Sequence, residues 1–465
     1  VDSGYSGPWG QQVWHSWGSR YYYGLFWGGM PDWNYDEPAV KNLMFDAADF
    51  WLNKGVDGFR LDAIKYLDED FPQMENTPET FQILRDYKQR IRANDPNAYS
   101  VGEVWSSTSS VAPYVDTSLL DMCFEFDLAG VLLNTVDLGI ASIFNNNFIN
   151  IIDAYPELQL APFLTNHDQD RVFSVFGQDM DKMKQAAALL MTMPGTPYIY
   201  YGEEVGMIGT GIHENIRRPM QWNTSLWAGF TSGTPWIGVN GNFGQYNVDV
   251  MESDSSSLLN TYKQLINVRN EQAILKRGYS LLLQVAEPQV LSFARVLNTD
   301  GLIVVSNLSS SAVTPTISLT ASTIRTGNYW AVDLLSSDTV GMIQVGSTGE
   351  INSAQMNHAL GSRQTWILEL LPANAVSLDE TNADPKISSL HIFPNPATDA
   401  VHLQLSEWQG QLKIDLLDLS GRQLRTWTAE ADDEWALSVA DLPRGQYLLR
   451  CRSQSRSAVA RLVLR

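Results

Sequence analysis

The sequence predicts an α/β fold with a parallel sheet, followed by two all-β regions. Helical and strand patterns alternate between residues 36 and 277, whereas shorter β-type runs with turn signals follow from residue 278. The chain has 465 residues, about three times the usual length of one domain. Several domains are therefore expected, and the alternating region is the largest of them.

The composition is that of a packed globular protein and excludes two classes of partner. Hydrophobic residues make up 44% of the chain, and the net charge is −21. This charge repels nucleic-acid backbones and anionic lipid head groups, so no nucleic-acid partner is expected. No run of 18 apolar residues occurs, so no membrane span is expected either. The cysteines Cys123 and Cys451 are expected to form neither a disulfide framework nor a metal-ligand pair.

Residues 1–35 are interpreted as an aromatic-rich loop region or small subdomain. They hold eleven aromatic residues with glycines between them, and no period of 2 or 3.6 is sustained. The α/β pattern then begins with Asp36 as a candidate N-cap and Pro38 in the first turn of a helix. A strand at 56–62 follows, and a second helix over 78–94 leads into a strand at 99–103.

Further strands and helices continue this alternation. Strands are expected at 120–126, 161–165 and 197–201, and helices near 181–193 and 256–271. Five strands are thus predicted before the all-β part of the chain. In a β/α barrel the reactive residues come from the carboxyl ends of such strands.

The remaining chain is predicted to be all-β, in two regions. Short β-type runs such as 290–296 and 364–371 form the first region. Residues 373–385 are polar and acidic and are interpreted as a linker. Residues 386–465 carry ten Lys or Arg and nine Asp or Glu, unlike the acidic remainder, and their alternating runs predict a separate small β-sandwich.

Three carboxylates stand at the ends of three predicted strands. They are Asp62, Glu103 and Asp168, and a barrel brings such strand ends to one mouth. Glycoside hydrolysis needs one carboxylate that attacks or guides water and a second, protonated one that gives its proton to the leaving oxygen. The alternative is that each carboxylate caps a helix or pairs with Arg60 or Arg171. The three together favour the catalytic interpretation.

Six segments resemble, in order and spacing, glycoside hydrolase family 13, the α-amylase family. Three match its signature regions, one matches a motif near the end of its domain B in the form typical of the intermediate α-amylase subfamily, and two match its eighth-strand region. In chain order they are MPDWN at 30–34, GFRLDA at 58–63, GEVW at 102–105, FLTNHD at 163–168, PYIYYGEE at 197–204 and RRPMQW at 217–222.

The resemblance implies a (β/α)8 TIM barrel of which strands 4 to 8 are present, followed by an all-β C-domain. The expected divisions are 1–35 for the end of domain B, 36–277 for the partial barrel, 278–372 for the C-domain, 373–385 for the linker and 386–465 for the last module. Because strands one to three are not visible, the chain is expected to be an amino-terminally truncated form of a longer enzyme. Such a chain would have an open half-barrel with an exposed edge at the strand around Phe59.

By the same resemblance, Asp62 is the nucleophile, Glu103 the general acid and base, and Asp168 the carboxylate that stabilises the transition state. Arg60 would orient Asp62 and keep it ionised, since a guanidinium is always charged. The other substrate-binding candidates are His167, Asn166, Lys65, Trp33 and Tyr66. Their alternatives are a structural histidine, a solvated lysine and a small aromatic core.

No metal site is assigned from the sequence. The family often binds calcium, but the usual ligands lie partly on segments absent here, and Tyr66 replaces a histidine common in calcium-binding members. Calcium therefore stays an open alternative, and no other cofactor is expected.

The last 80 residues resemble the carboxy-terminal sorting domain of the type IX secretion system of Bacteroidetes-type bacteria. The matching segments are FPNPA at 393–397, DLSGR at 418–422 and LPRGQY at 442–447. The alternative is a carbohydrate-binding β-sandwich, but aromatic residues for sugar stacking are few. The resemblance implies export to the cell surface or medium, with the secretion machinery as a partner.

The predicted function is retaining hydrolysis of α-1,4-glucosidic bonds in starch, glycogen or maltodextrins, as in an α-amylase. An α-glucosidase or a transglycosylase is the alternative within the family, because both share the covalent intermediate. A non-catalytic glucan-binding surface protein or an inactive fragment is the alternative of another class. The intact Asp62, Glu103 and Asp168 favour an enzyme.

Overall fold

The computed structural model describes residues 4–115, 118–156, 158–373, 390–405, 408–430, 434–453 and 457–464. The chain divides into two compact units, Val1–Glu125 and Phe126–Arg465. Most of the expected linker, from residue 374 onward, lies outside the described residues. Within the described ranges, no helix combines the length and the apolar character that a membrane span requires.

The first unit is an α/β unit preceded by a β-hairpin. Its elements are β1 (Trp14–Trp17), β2 (Arg20–Tyr23), α1 (Pro38–Leu52), β3 (Gly58–Leu61), α2 (Pro78–Asn94), β4 (Tyr99–Gly102), α3 (Thr108–Val111) and β5 (Met122–Phe124). The strands β1 and β2 pair antiparallel, so part of the aromatic region forms a ladder that its sequence pattern did not predict. The strands β3, β4 and β5 form a parallel sheet in that order.

The two long helices of this unit form where the sequence predicts them. The N-cap of α1 is Glu37, whose carboxylate accepts from the Ala39 N–H, so the expected cap at Asp36 is wrong by one residue. In α2, the Thr77 hydroxyl accepts from the Thr80 N–H, a side-chain cap typical of helix starts. The two helices pack together and against β3 through an apolar cluster that includes Phe45.

The strand β3 is the outer strand of the parallel sheet among the described residues, which agrees with the expected edge at the strand around Phe59. A mostly apolar cavity of about 350 Å³ opens beside it. Side chains of α1 and α2 line this cavity together with Arg60 and Asp62. The edge strand therefore presents the predicted nucleophile next to an open apolar space.

The second unit begins with a mostly helical region. Its elements are α4 (Phe126–Leu138), α5 (Ala141–Asp153), β6 (Leu160–Ala161), α6 (Val172–Val175), α7 (Met180–Thr192), α8 (His213–Ile216), α9 (Val248–Glu252), α10 (Leu258–Glu271) and α11 (Ala273–Arg277). The helices expected near 181–193 and 256–271 correspond to α7 and α10. The strand expected at 161–165 is reduced to the two residues of β6.

The strand expected at 197–201 is not formed as a regular strand. The backbone N–H groups of Thr196 and Tyr198 donate to the carbonyls of Leu160 and Pro162, at 3.1 and 2.8 Å. Pro197 between them has no N–H, and β6 offers only a short partner. The segment therefore follows β6 without completing a ladder.

The C-domain is one antiparallel sheet with a large apolar core. Its strands are β7 (Tyr279–Leu282), β8 (Gln284–Val285), β9 (Val290–Leu297), β10 (Asp300–Asn307), β11 (Thr316–Leu319), β12 (Gly327–Asp333), β13 (Thr339–Val345), β14 (Ile351–Gln355) and β15 (Thr365–Pro372). The order across the sheet is β7-β9-β10-β15-β12-β13-β14-β11-β8. The runs expected at 290–296 and 364–371 correspond to the strands β9 and β15; seven of the eight residues of β9 and five of the eight residues of β15 are buried.

The last module consists of two antiparallel sheets. Its strands are β16 (His391–Phe393), β17 (Ala400–Gln404), β18 (Gln411–Leu417), β19 (Gln423–Glu430), β20 (Glu434–Ser438), β21 (Gly445–Arg452) and β22 (Ser457–Leu464). The sheets have the orders β16-β17-β20 and β19-β18-β21-β22, which is the predicted β-sandwich. Leu417, Leu419 and Leu448 belong to the apolar core of the C-domain, and the Leu282 N–H donates to the Leu419 carbonyl at 3.2 Å. The module is therefore packed on the C-domain rather than tethered beside it.

Candidate active site

In the first unit, two carboxylates follow adjacent parallel strands. Asp62 comes directly after β3 and Glu103 directly after β4, and the register pairs Leu61 with Gly102. The Glu103 N–H donates to the Leu61 carbonyl at 2.9 Å, which carries the ladder one residue past the end of β4. The parallel pairing therefore brings the two acids side by side.

One arginine holds both of these carboxylates. The Arg60 Nη1 donates to Asp62 Oδ1, and Nη2 lies 3.0 Å from Glu103 Oε2. A guanidinium keeps its charge at all physiological pH values, and its planar fork can serve two acceptors at once. Two negative groups thus share one positive group.

A left-handed turn fixes the buried carboxylate from the backbone. Ala63 has φ 46° and ψ 38°, and its N–H donates to Glu103 Oε2 at 3.1 Å. The next residue, Ile64, donates its N–H to the Glu103 carbonyl at 3.2 Å. A residue with a Cβ adopts this conformation at a cost of about 1 to 2 kcal/mol, so the turn is held by its contacts. In this turn the Ala63 N–H, which directly follows Asp62 in the chain, holds the Glu103 carboxylate.

The two acids differ in burial, and burial affects the protonation of Glu103. The Asp62 side chain is 72% exposed, whereas that of Glu103 is 8% exposed. Burial raises the pKa of Glu103, the nearby Asp62 carboxyl raises it further, and Arg60 together with the Ala63 N–H partly offsets the rise. A carboxyl whose pKa is raised stays protonated closer to neutral pH, as a general acid requires.

The other candidates of the first unit lie on the segment after Asp62 and in the aromatic region. The Lys65 Nζ lies 2.9 Å from Glu75 Oε2 and 4.8 Å from the centroid of the Tyr66 ring. The Tyr66 ring contacts those of Trp9 and Phe26, at centroid distances of 5.9 and 5.7 Å. These two aromatic residues were not among the sequence candidates.

Trp33 is well exposed, and the Trp9, Phe26 and Tyr66 rings form a cluster whose first two members are also exposed. Aromatic rings open to solvent can stack on the C–H faces of sugars. The binding roles of Trp33 and Tyr66, and that of Lys65, stay predictions.

Acidic residues of the first unit also bear on the calcium alternative. Among the described residues, no group of three or more His, Cys, Asp or Glu side chains is placed to hold a metal ion. Burial and the charges of Asp32, Asp68 and Asp36 raise the pKa of Glu69 to about 8. Asp32 Oδ2 accepts from the Leu25 N–H, and Asp68 Oδ2 accepts from the Thr77 hydroxyl. These oxygens serve local hydrogen bonds, and calcium stays an open alternative.

In the second unit, the third predicted carboxylate lies in a loop after β6. Asn166 Oδ1 accepts from the Asp168 N–H at 2.9 Å, which shapes the loop. The His167 Nε2 lies 3.1 Å from Asp168 Oδ2. The structure thus joins the three residues of this motif, and their roles toward a sugar stay predictions.

Two residues that the sequence candidates did not include contact this carboxylate. The Arg217 Nη2 donates to Asp168 Oδ1, and its Nε donates to the His167 carbonyl at 2.8 Å. The His213 Nδ1 lies 3.2 Å from Asp168 Oδ1 and 2.9 Å from Arg217 Nη2. Arg217 begins the matched segment at 217–222, which is the signal that could have marked it, whereas His213 lies outside every matched segment.

The parallel strands with carboxylates at their ends are typical of proteins of the β/α-barrel class. Residues 5–278 match the sequence family described as alpha amylase, catalytic domain. The chain belongs to this family, glycoside hydrolase family 13. The predicted family and fold are thereby confirmed.

Curated relatives carry more than one activity. The chain is 35% identical over 310 residues to alpha-amylase 3 of Dictyoglomus thermophilum, covering 64% of this chain and 58% of the relative. It is 29% identical over 359 residues to an oligo-1,6-glucosidase of Halalkalibacterium halodurans, covering 62% and 63%. The chain thus spans about six tenths of the length of these relatives.

Solved structures show the same fold. The α-amylase from H. orenii superposes with a TM-score of 0.65 at 33% identity, covering 78% of this chain and 70% of that one. An isomaltulose synthase from Erwinia rhapontici superposes with a TM-score of 0.63 at 23% identity, covering 79% and 75%. The second likeness bears on the fold alone.

The last module matches a second family. Residues 391–465 match the description of a secretion system C-terminal sorting domain, which confirms the predicted type IX module. A sorting domain of this kind directs a protein out of the cell. The protein is therefore secreted or attached to the cell surface.

Proposed function

We propose that the protein is a retaining glycoside hydrolase that cleaves α-1,4-glucosidic bonds in starch, glycogen or maltodextrins. The observation that carries this proposal is the pair of Asp62 and Glu103 on one guanidinium, one acid exposed and the other buried with a raised pKa. Such a pair supplies an ionised nucleophile and a protonated acid at the same pH.

The chemistry assigned to the pair has two steps. The Asp62 carboxylate attacks the anomeric carbon, the bond from that carbon to the glycosidic oxygen breaks, and Glu103 gives its proton to the departing oxygen. Water then attacks the same carbon while Glu103 takes a proton from it, which frees Asp62 and leaves the sugar in its original anomeric form.

The second carboxylate site has a supporting role in this proposal. Asp168 binds hydroxyl groups of the sugar and stabilises the positive charge that develops in the transition state. His167 and Arg217 contact the Asp168 carboxylate, so they hold it in one orientation. The α-glucan chain is the proposed substrate, and the type IX machinery is the proposed partner in export.

A second candidate is an α-glucosidase or a transglycosylase. It is favoured by the oligo-1,6-glucosidases among the relatives. Against it, Ala63 follows the proposed nucleophile as in the α-amylase form of the motif, where the α-1,6-glucosidases resembling this chain carry valine. The two candidates differ in the molecule that intercepts the covalent intermediate, so their products distinguish them.

The test is hydrolysis of maltoheptaose by the full chain, with the anomer of the fresh product read by proton NMR. Asp62→Asn removes the nucleophile, and Asp57→Asn makes the same chemical change at an exposed position just before β3. We expect α-anomers from the unchanged chain and from Asp57→Asn, and a loss of more than about a thousandfold in Asp62→Asn.

The outcomes separate the candidates. Short maltodextrins of mixed length indicate an α-amylase, glucose alone indicates an α-glucosidase, and products longer than the substrate indicate transfer. Fresh β-anomers would contradict the retaining mechanism. A folded chain that binds maltoheptaose in calorimetry without cleaving it would favour the glucan-binding alternative.

A further inference from the structure

A buried arginine next to the Asp168 loop makes contacts that the proposed mechanism does not use. The Arg171 side chain is 2% exposed, and it lies against the rings of Tyr200 and Tyr201, with centroid distances of 4.4 and 4.7 Å. Its Nη1 donates to the Tyr201 carbonyl at 2.7 Å, and its Nε donates to the Ile216 carbonyl at 2.9 Å. The guanidinium therefore binds two backbone segments at once.

The hydroxyl groups of the two tyrosines reach the same place. Tyr200 Oη donates to the Ile216 carbonyl at 3.0 Å, and Tyr201 Oη donates to the Arg218 carbonyl at 2.7 Å. The carbonyls on both sides of Arg217 are thus held by these three side chains. We call Arg171, Tyr200 and Tyr201 the clamp.

The clamp is also connected to the loop that carries Asp168. Arg171 lies three residues after Asp168 in the chain, and its N–H donates to the Gly209 carbonyl at 3.0 Å. The strand-end loop and the segment before Arg217 are therefore joined through one residue. Because the carbonyls of Ile216 and Arg218, the residues on either side of Arg217, are both fixed, the Arg217 guanidinium has little freedom to leave Asp168.

We propose that the clamp is a positioning device that holds Arg217 on the Asp168 carboxylate and so orients this carboxylate toward the sugar. This inference rests on the proposed function of Asp168. The clamp residues touch neither the sugar nor the reacting atoms in this proposal, and they act through Arg217. Loss of a clamp hydroxyl should therefore weaken transition-state stabilisation more than substrate binding.

The main test variant is Tyr201→Phe, which removes one hydroxyl and keeps the ring on Arg171. Its matched control is Tyr329→Phe in the C-domain, because Tyr329 Oη donates to the Arg325 carbonyl at the same 2.7 Å. Values of kcat and KM are measured on maltoheptaose. We expect Tyr201→Phe to lower kcat about tenfold with KM within about twofold, and Tyr329→Phe to leave both unchanged.

A double variant tests whether Tyr201 affects kcat through Arg217. In an Arg217→Ala background, Tyr201→Phe should cause no further loss of kcat, because the group that it positions is already gone. A further loss of the same factor in that background would overturn the proposal.

A measurement that needs no activity completes the test. Backbone amide exchange of the 213–218 segment is followed by mass spectrometry in both tyrosine variants. We expect faster exchange in Tyr201→Phe and no change in Tyr329→Phe. Unchanged exchange and unchanged kcat in Tyr201→Phe would overturn the clamp. Faster exchange in a chain that cleaves no glucan would support the clamp and contradict the proposed function.

Discussion

Each of the two units contains a cluster of arginine and carboxylate side chains. One cluster has one arginine for two carboxylates, and the other has two arginines for one carboxylate. In the first unit, Arg60 serves both Asp62 and Glu103. In the sorting domain, Arg450 and Arg452 both serve Asp415, which is fully buried and also accepts from the Thr426 hydroxyl. One cluster has an excess of acid and the other an excess of base.

The proportions set the acidity of each carboxyl. The pKa of Glu103 is raised, since burial and the neighbouring Asp62 outweigh the one guanidinium. Burial also acts to raise the pKa of Asp415, but the hydrogen bonds from Thr426, Arg450 and Arg452 outweigh it and lower the pKa. An acid that shares its arginine can hold and release a proton, whereas an acid with two arginines remains ionised and serves packing.

The largest effect is expected for Glu103→Gln. An amide keeps the size of the side chain but has no proton to give, so kcat on maltoheptaose should fall by more than about a thousandfold. On a nitrophenyl maltooligoside, whose leaving group needs no proton, the rate of the initial nitrophenol burst should fall only about tenfold, because the burst reports the first step and not the second step in which Glu103 acts as base. Rates on the two substrates are compared by product chromatography and absorbance.

The control for this change is Glu79→Gln. Glu79 is exposed in the first turn of α2 and has no role in the proposed mechanism. It should leave both rates unchanged. Equal losses of Glu103→Gln on the two substrates would mean that Glu103 does not act as the acid.

Local patterns predicted the helices α1, α2, α7 and α10 of this fold, but not the helices α4 and α5. The helix α2 spans the expected residues 78–94 because its apolar period, its N-cap and its end are all encoded within the segment. The segment at 197–201 was wrongly predicted as a strand, because its hydrogen bonding depends on a short partner that no local pattern reveals.

The candidate site also contains residues that local segments indicate and contacts between positions far apart in the sequence. Asp62, Glu103 and Asp168 were selected because each follows a predicted strand within a recognisable segment, and their roles stay predictions. The Arg217 contact with Asp168 joins positions 49 residues apart, and no periodicity carries that information. The same is true of the clamp, whose members Arg171 and Tyr201 meet only through the tertiary fold.

A substitution in the Asp415 cluster should change the free energy of unfolding and not the rate of hydrolysis. Asp415→Asn leaves two arginines without a counter-charge, and we expect it to lower the free energy of unfolding by about 3 kcal/mol, measured by urea denaturation. The lowered pKa of Asp415 also means that its contribution is present at neutral pH and is lost as the pH falls through that pKa. The difference between wild type and variant should therefore shrink in acid.

The matched control is Asp441→Asn, which breaks the exposed pair with Arg425 in the same module. Its cost should be much smaller than that of Asp415→Asn, since water screens an exposed ion pair. If both variants lost the same stability, burial would not distinguish the Asp415 cluster from an ordinary surface pair.

The smallest effect, and the most direct test of the shared guanidinium, is expected for Arg60→Met. Arg60 lowers the pKa of Glu103, so its removal should raise that pKa and keep Glu103 protonated to higher pH. The basic limb of kcat/KM against pH should then move upward by about half to one pH unit, with a loss of about tenfold in kcat/KM at the optimum. Arg90→Met is the control, because Arg90 also binds two aspartates, Asp46 and Asp49, but on an exposed surface. A basic limb that stays in place or moves to lower pH in Arg60→Met would show that the shared arginine does not set the acidity of Glu103.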